Sequence, residues 1–563
     1  MRNTLKSIIA GLIVLFFASC YEDKGHYNHI QSNVASINTY NSNPELYKKT
    51  VSIGEEVVYE PKITWRDPQA DTLDYDYAWV FFDQDTISTE RCLRYKPTSV
   101  GSFSGIYVVK ERKTGIYTTL QVSIEAKTPY AYGWTILSEI NGRTAVSLLP
   151  IEKESYYYDE EDPTMIDYQP ADRTADGRIY WEYYLWKWND KIDIYSSTFG
   201  EDLGSKPLAV HMNWMYAKSN YSEVIILQEN GGNWVLNGND FSKYYQLEED
   251  FGEEMPAGFQ PTWFFYCQGG HFIANAEGRL FWRSMATNIT RLTPFNDEVY
   301  FGANARITKF IEPSMWYTTN AFFAYDEGNK KLYTISAATS GTGRGAIGAV
   351  MTMQYNGEIP EGFVKFEDMG DYKPLCMTND NALYNENNTK VWLFMEKAGK
   401  VYVQTFRFHK VAYGTSNGTS DYQSGTARIS ELAAPIELPL VDNMTSNSIF
   451  MKQGYSGAER LFVAEGKKLY VVEMSTLNRG FRLWKEFPAN IKFVKDAPDS
   501  KSIGVALENG EFHIMFTDDM FFIEGGGGAE QATFHVAKNL GNIVDIEWKS
   551  NTYLGSTGGM ANR

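Results

Sequence analysis

Histidine and cysteine, the residues from which most metal centres and many nucleophilic sites are built, are scarce: seven and four in 563 residues. His26, His29, His211, His271, His409, His513 and His535 stand apart from one another and from any cysteine or paired carboxylate. Neither a zinc-ligand spacing nor an H-E-x-x-H helix can be assembled from them, and G-x-S-x-G is absent as well. The expectation is no catalytic residue, no metal and no cofactor. Cys92, Cys267 and Cys376 are widely spaced and outline no disulfide framework. They read as buried thiols, with one bridge between two of them as the alternative. Positive charge is also in deficit, 52 Lys and Arg against 70 Asp and Glu for a net −18. Without a basic stripe to neutralise phosphates, nucleic acid is excluded as a partner.

Long apolar runs are missing too, apart from residues 8–17, which are half the roughly 20 residues a membrane-spanning helix needs. That run follows Arg2 and Lys6 and has the length of a signal h-region. It ends in "LFFASCYEDKG" (15–25), with Ala18 and Ser19 directly before Cys20. The arrangement resembles a bacterial lipoprotein signal, with Phe17 in place of the usual Leu. The resemblance implies removal of residues 1–19 and acylation of Cys20, whose several chains would make a lasting anchor. Glu22 and Asp23 resemble the surface-export tags of Bacteroidota lipoproteins, and "CYEDKGHYNH" is similar to the opening of the PKD-like lipoproteins of that phylum. That resemblance implies a lipid-anchored place on the outer membrane, facing the extracellular side, and a SusC/SusD-like transporter complex as partner, with glycan or peptide as cargo.

After a polar tether (20–44) the chain changes character. "VSIGEEVVYEPKITW", "YDYAWVFFD", "GIYVVKERKTG" and "IYTTLQVSIEA" are β-branched and aromatic runs of strand length without helical periodicity. They predict a small β-sandwich over 45–128 whose pattern resembles a PKD or immunoglobulin-like domain, with a tryptophan in mid-strand. "YKPTSVGSF" stands where that family has a tighter turn.

From 129 to 563 the organising feature is a repeat. Two apolar strands around a Glu/Asn/Gly turn recur seven times, at 135–149, 224–237, 271–284, 322–336, 391–405, 460–473 and 503–516. The turn glycines Gly232, Gly278, Gly328, Gly399, Gly466 and Gly510 lie 44 to 71 residues apart by subtraction. That period suits four-stranded blades with some inserted loops, and glycine suits the positive φ of a tight hairpin. The fold class is therefore all-β, an N-terminal sandwich followed by a β-propeller of seven blades. Eight is the alternative count, because "ADGRIYWEYYLW" (175–186) reads as a further turn and strand. "NIVDIEWKS" (542–550) is the candidate strand that closes the ring.

Aromatic residues supply the candidate ligand contacts. Fourteen Trp and 38 Tyr serve mostly as core and strand formers. Trp181, Trp186 and Trp188, with Trp214 and Trp316 just before repeat hairpins, fall near blade connections, where propellers meet ligands. An indole covers the apolar face of a sugar or a peptide side chain. The acidic stretch 156–172 lacks calcium-loop spacing and reads as a solvated insertion. "GRGAIG" (343–348) fits a dinucleotide fingerprint in letters only, since no helix pattern follows it. The reading is a non-catalytic surface lipoprotein that binds a nutrient polymer or docks on an uptake complex. The alternatives are a propeller glycoside hydrolase or lyase with carboxylates from separate blades around the channel, and a structural lid within the uptake assembly.

Overall fold

The computed structural model describes residues 33–37, 48–69, 74–81, 86–98, 100–128, 130, 132–159, 166–167, 180–188, 190–213, 222–267, 270–284, 293–295, 297–311, 321–337, 347–379, 389–412, 426–453, 460–497, 502–517, 521–522 and 528–550. The chain divides into two compact units between Thr128 and Pro129.

In the first unit a five-stranded sheet runs in the order Lys48–Ser52, Tyr117–Lys127, Gly101–Glu111, Tyr75–Phe81, Thr86–Ser88. Two short pairs, Val34–Ile37 with Ile63–Trp65 and Val57–Tyr59 with Leu93–Tyr95, cover it. Alternation along Tyr75–Phe81 turns Trp79 inward, where it is fully buried 4.3 Å from the Tyr107 ring and 5.7 Å from that of Tyr59. Its indole N–H would be stranded there but donates to the Glu90 carbonyl at 2.9 Å. "YKPTSVGSF" crosses between sheets: Leu93–Tyr95 belongs to one, and Gly101–Glu111 starts the other earlier than its apolar run suggests. Cys92 lies in the bend before Leu93 and is exposed and free, and Cys376 is free and only partly buried, so the buried-thiol reading fails at Cys92. The Cys267 side chain lies outside the described residues.

The second unit is a seven-bladed propeller. Each of the seven expected repeats is an antiparallel hairpin, from Tyr132–Ile140 with Arg143–Asp159 to Ser502–Leu507 with Phe512–Phe516. Each forms the middle of a blade of four strands in blades 2, 3, 6 and 7, of five in blade 1, and of one shared nine-stranded sheet in blades 4 and 5. The innermost strands of blades 2 to 7 are Ser205–Asn213, Pro261–Cys267, Ile307–Ile311, Lys373–Asn379, Ile449–Lys452 and Ile491–Ala497. Blade 1 takes its innermost strand from the other end of the chain: Asn542–Ser550 pairs antiparallel with Tyr132–Ile140. "ADGRIYWEYYLW" builds no eighth blade. Tyr180–Trp188 pairs with the hairpin strand Arg143–Asp159 from Ile151 to Asp159, past the last residue, Pro150, that pairs with Tyr132–Ile140. Blade 1 therefore has a long outer arm.

The middle strands are apolar on both faces because each blade is sandwiched between two others. Ser502–Leu507 and Phe512–Phe516 are buried along their whole length. At the ring closure Trp134, fully buried, meets Trp548 at 5.5 Å and Phe512 at 5.4 Å. The turn glycines take positive φ in five of six hairpins, but at Gly328 the role passes to Lys330, with φ 54°. Blades 4 and 5 are joined at the rim as well, where Val350–Tyr355 runs parallel to Thr426–Ser430 in one continuous sheet.

Trp134→Ala removes the indole that packs the two chain ends together and should cost about 3–5 kcal/mol. The check is urea unfolding of the full chain followed by near-UV circular dichroism. A loss below about 1 kcal/mol would mean that this contact does not hold the closure.

Candidate functional site

Ligands of propellers meet the innermost strands and the loops around them, and these strands share a feature the sequence does not advertise. In six of the seven, pairing with the second strand shifts by one residue, leaving Leu208, Thr262, Thr308, Leu375, Lys492 and Val544 unpaired as bulges. Only Ile449–Lys452 pairs without a shift. A bulge bends a strand and re-aims the side chains after it.

Counting from the bulge puts the six strands in one register. Two residues on come Val210, Phe264, Phe310, Met377, Val494 and Ile546, all packed into the apolar layer shared with the preceding blade. One and three residues on, the opposite strand face presents Ala209 and His211, Trp263 and Phe265, Lys309 and Ile311, Cys376 and Thr378, Phe493 and Lys495, and Asp545 and Glu547. Most are apolar or small. The exceptions are Lys309 in blade 4 and a polar seam of Lys495, Asp545, Glu547 and His211 in blades 7, 1 and 2.

Lys495 stands at the centre of that seam. Its Nζ lies 3.0 Å from Asp545 Oδ1 and 3.1 Å from Glu547 Oε2, bridging blade 7 to the closing strand of blade 1. Asp545 reaches onward, its Oδ2 accepting the Val210 N–H of blade 2 at 3.1 Å. The side chains of Lys495 and Glu547 keep 33% and 32% of their surface accessible, so water reaches them. Burial alone would lower the Lys495 pKa, but Asp545 and Glu547 outweigh it and raise it. One ammonium cannot neutralise two carboxylates, and Glu547 is the group pushed upward, by burial first and by Asp545 in addition.

His211, the next member, is pushed down to about 4 by burial and is neutral at neutral pH. Its Nε2 has no hydrogen-bond partner among the described residues. Near the end of the closing strand Lys549 is fully buried, its Nζ donating to the Tyr130 carbonyl at 2.6 Å, and burial pushes its pKa down to about 7. On another part of the ring Lys309 and Cys376 face each other across blades 4 and 5. Burial pushes the thiol up to about 12, so it is protonated and unreactive as a nucleophile.

A second charged group, between blades 2 and 3, is dry. Arg283 and Asp250 pair at 2.8 Å with 2% and 1% of their side chains accessible. His271 accepts from Arg283 Nε at 3.0 Å, Tyr245 donates to Asp250 at 3.1 Å, and the guanidinium lies 4.6 Å from the Phe295 ring centroid. With no access to solvent it fixes blade packing and offers nothing to a ligand.

The sequence candidates fall elsewhere. Trp181, Trp186 and Trp188 sit on Tyr180–Trp188, the outer edge of blade 1 rather than the channel, at register positions opposite Tyr158, Lys153 and Ile151; their side chains lie outside the described residues. Trp214, Trp316 and Cys20 are themselves outside the described residues. Of the five tryptophans, the three on Tyr180–Trp188 lie on a strand that is not part of the seam. Of "GRGAIG" only Ile347 and Gly348 are among the described residues, and the chain goes on from them into the strand Val350–Tyr355 rather than a helix. Sequence reasoning passed over Lys495, Asp545 and Glu547. The available signal was the D-x-E-x-K alternation inside "NIVDIEWKS", which puts three charges on one face of a strand already expected to close the ring.

His211 gives the seam a pH signature. Its folded pKa of about 4 lies below the ordinary 6.5, so the unfolded chain takes the proton first. Its contribution is complete above about pH 6.5 and is lost as pH falls toward 4. The urea midpoint should drop across that window, and His211→Gln should flatten the drop; equal slopes for both proteins would contradict the assignment.

Residues 20–207 match the model of the PKD-like family, a span that opens at Cys20 and runs through the sandwich and blade 1. No curated protein matches the chain. Solved structures similar to it include a quinonprotein alcohol dehydrogenase-like protein from Bacteroides thetaiotaomicron, at 9% identity and TM-score 0.34, covering 92% of this chain and 96% of that one. The BBS1N chain from a complex with ARL6DN gives 11% identity and TM-score 0.33 over 61% and 84%. KlHsv2 with its loop 6CD replaced by a Gly-Ser linker gives 8% and 0.32 over 75% and 99%. The N-terminal part of the chain is PKD-like, and the whole is an all-β sandwich and propeller.

Proposed function

We propose that the protein is a non-catalytic lipoprotein of the outer-membrane surface, anchored through Cys20, which binds a nutrient polymer and docks on a SusC/SusD-like TonB-dependent uptake complex. The observation that carries this reading is the PKD-like match, whose first residue is the cysteine behind the apolar leader. The sandwich then serves as a spacer and the propeller as the recognition head. Glycan and peptide are both cargo candidates, and Trp186 and Trp316 remain the proposed aromatic contacts for either.

The competing reading, a glycoside hydrolase or lyase, asks for two carboxyl groups converging from separate blades at roughly 5–9.5 Å. Asp545 and Glu547 come from one strand and share one lysine, which suits a structural clamp better than an acid and a base working on opposite sides of a bond.

Pull-down of the tagged protein from detergent-solubilised outer membranes should recover a TonB-dependent transporter with its lipoprotein partner. Cys20→Ala should lose the acyl modification by mass spectrometry and leave the membrane fraction. An unmodified mature N-terminus, or recovery of the protein alone, would refute the anchor or the docking respectively. Release of shortened products from a glycan panel would favour the enzyme.

A further inference from the structure

The polar seam has a counterpart across the ring. Lys309 and Asp545 occupy the same register position, one residue past the bulge, in blades 4 and 1. In a ring of seven those blades are three steps apart one way and four the other, so the two side chains start from opposing walls at one height. Lys309 is exposed although it springs from an innermost strand, and the surrounding protein lowers its pKa, with only the Cys376 thiol opposing. Among the described residues no carboxylate is paired with it.

The facing wall has the opposite imbalance. Asp545 and Glu547 share the single ammonium of Lys495, and His211, neutral at neutral pH, adds no positive charge. Among the described residues, surplus negative charge stands on one side of the ring and the Lys309 ammonium on the other, each partly stripped of water by the protein. A neutral sugar would relieve neither, and a simple ion only one. A molecule that carries both charges relieves both.

We propose that the channel is a binding site for a short peptide or free amino acid, its ammonium received by the Asp545 and Glu547 wall and its carboxylate by Lys309. This rests on the binding reading above and, within it, selects peptide over glycan. Neutral His211, whose buried Nε2 has no hydrogen-bond partner among the described residues, stands beside the ammonium wall and leaves its negative charge uncompensated. At the equivalent positions in blade 3, Trp263 and Phe265 pack on Phe310 and Phe322 of blade 4 and add no charge between the two walls.

The test is calorimetric titration of the full acylated chain in detergent with trialanine, N-acetyl-trialanine and trialanine amide. Trialanine is expected to bind at a single site, and each capped peptide at least about tenfold more weakly, as loss of one charge-assisted hydrogen bond demands. Lys309→Met should bind trialanine and its amide equally weakly, because the carboxylate no longer has a receiver. No heat with trialanine, undiminished binding of either capped peptide, or unchanged affinity in Lys309→Met would overturn the proposal. The capped series on the native protein does not depend on any variant folding. If trialanine fails to bind while the pull-down still recovers a transporter, this inference falls and the docking function stands.

Discussion

The structure depends on one pairing made between residues some four hundred positions apart: Asn542–Ser550 must enter blade 1 as its innermost strand. A single blade is a sheet with both faces apolar, and it cannot bury either face alone. Seven of them bury each other only if the last meets the first. The closing strand brings this about with backbone pairing along Tyr132–Ile140, with Trp548 against Trp134, and with Asp545 and Glu547 reaching Lys495 on blade 7. Closing the ring also removes the exposed sheet edge that an unpaired innermost strand would present.

The closure also determines where charge can sit. Between blades 2 and 3 the Arg283–Asp250 pair is sealed, and its effect is confined to packing. Around the closing strand the same kinds of group remain in contact with water, so their imbalance can be felt by a solute. Burying charge is costly unless it is paired, and a three-membered group with one cation and two anions leaves part of that cost unmet. Lys309 across the ring leaves the complementary part. A surplus on each wall, rather than any single residue, gives the channel a preference.

How much of this was legible in the sequence follows from which signals are local. The seven hairpins were legible because each is a short alternation or run of apolar residues around a turn, complete within about fifteen positions. The closing strand was legible for the same reason. The tight-turn glycines were mostly right, but Gly328 shows the limit: a lysine two residues later can take the left-handed conformation when the hairpin shifts its turn. The outer arm of blade 1 imitated an extra blade because a long hairpin and a new hairpin look alike until pairing partners are known. The seam was half legible: the D-x-E-x-K alternation marks the charged face of the closing strand, but no local pattern marks Val544 or Lys492 as unpaired or brings Lys495 to that face. His211 looked isolated in sequence; only the ring puts it beside Asp545.

Native-state hydrogen exchange of the full chain tests the central claim most directly. If Asn542–Ser550 closes the ring, its amides and those of Tyr132–Ile140 exchange as slowly as the fully buried hairpin Ser502–Leu507 with Phe512–Phe516, through the same global opening. Fast exchange of 542–550 while that hairpin stays protected would show a C-terminal strand that is not part of the ring, and the account of the channel would fall with it.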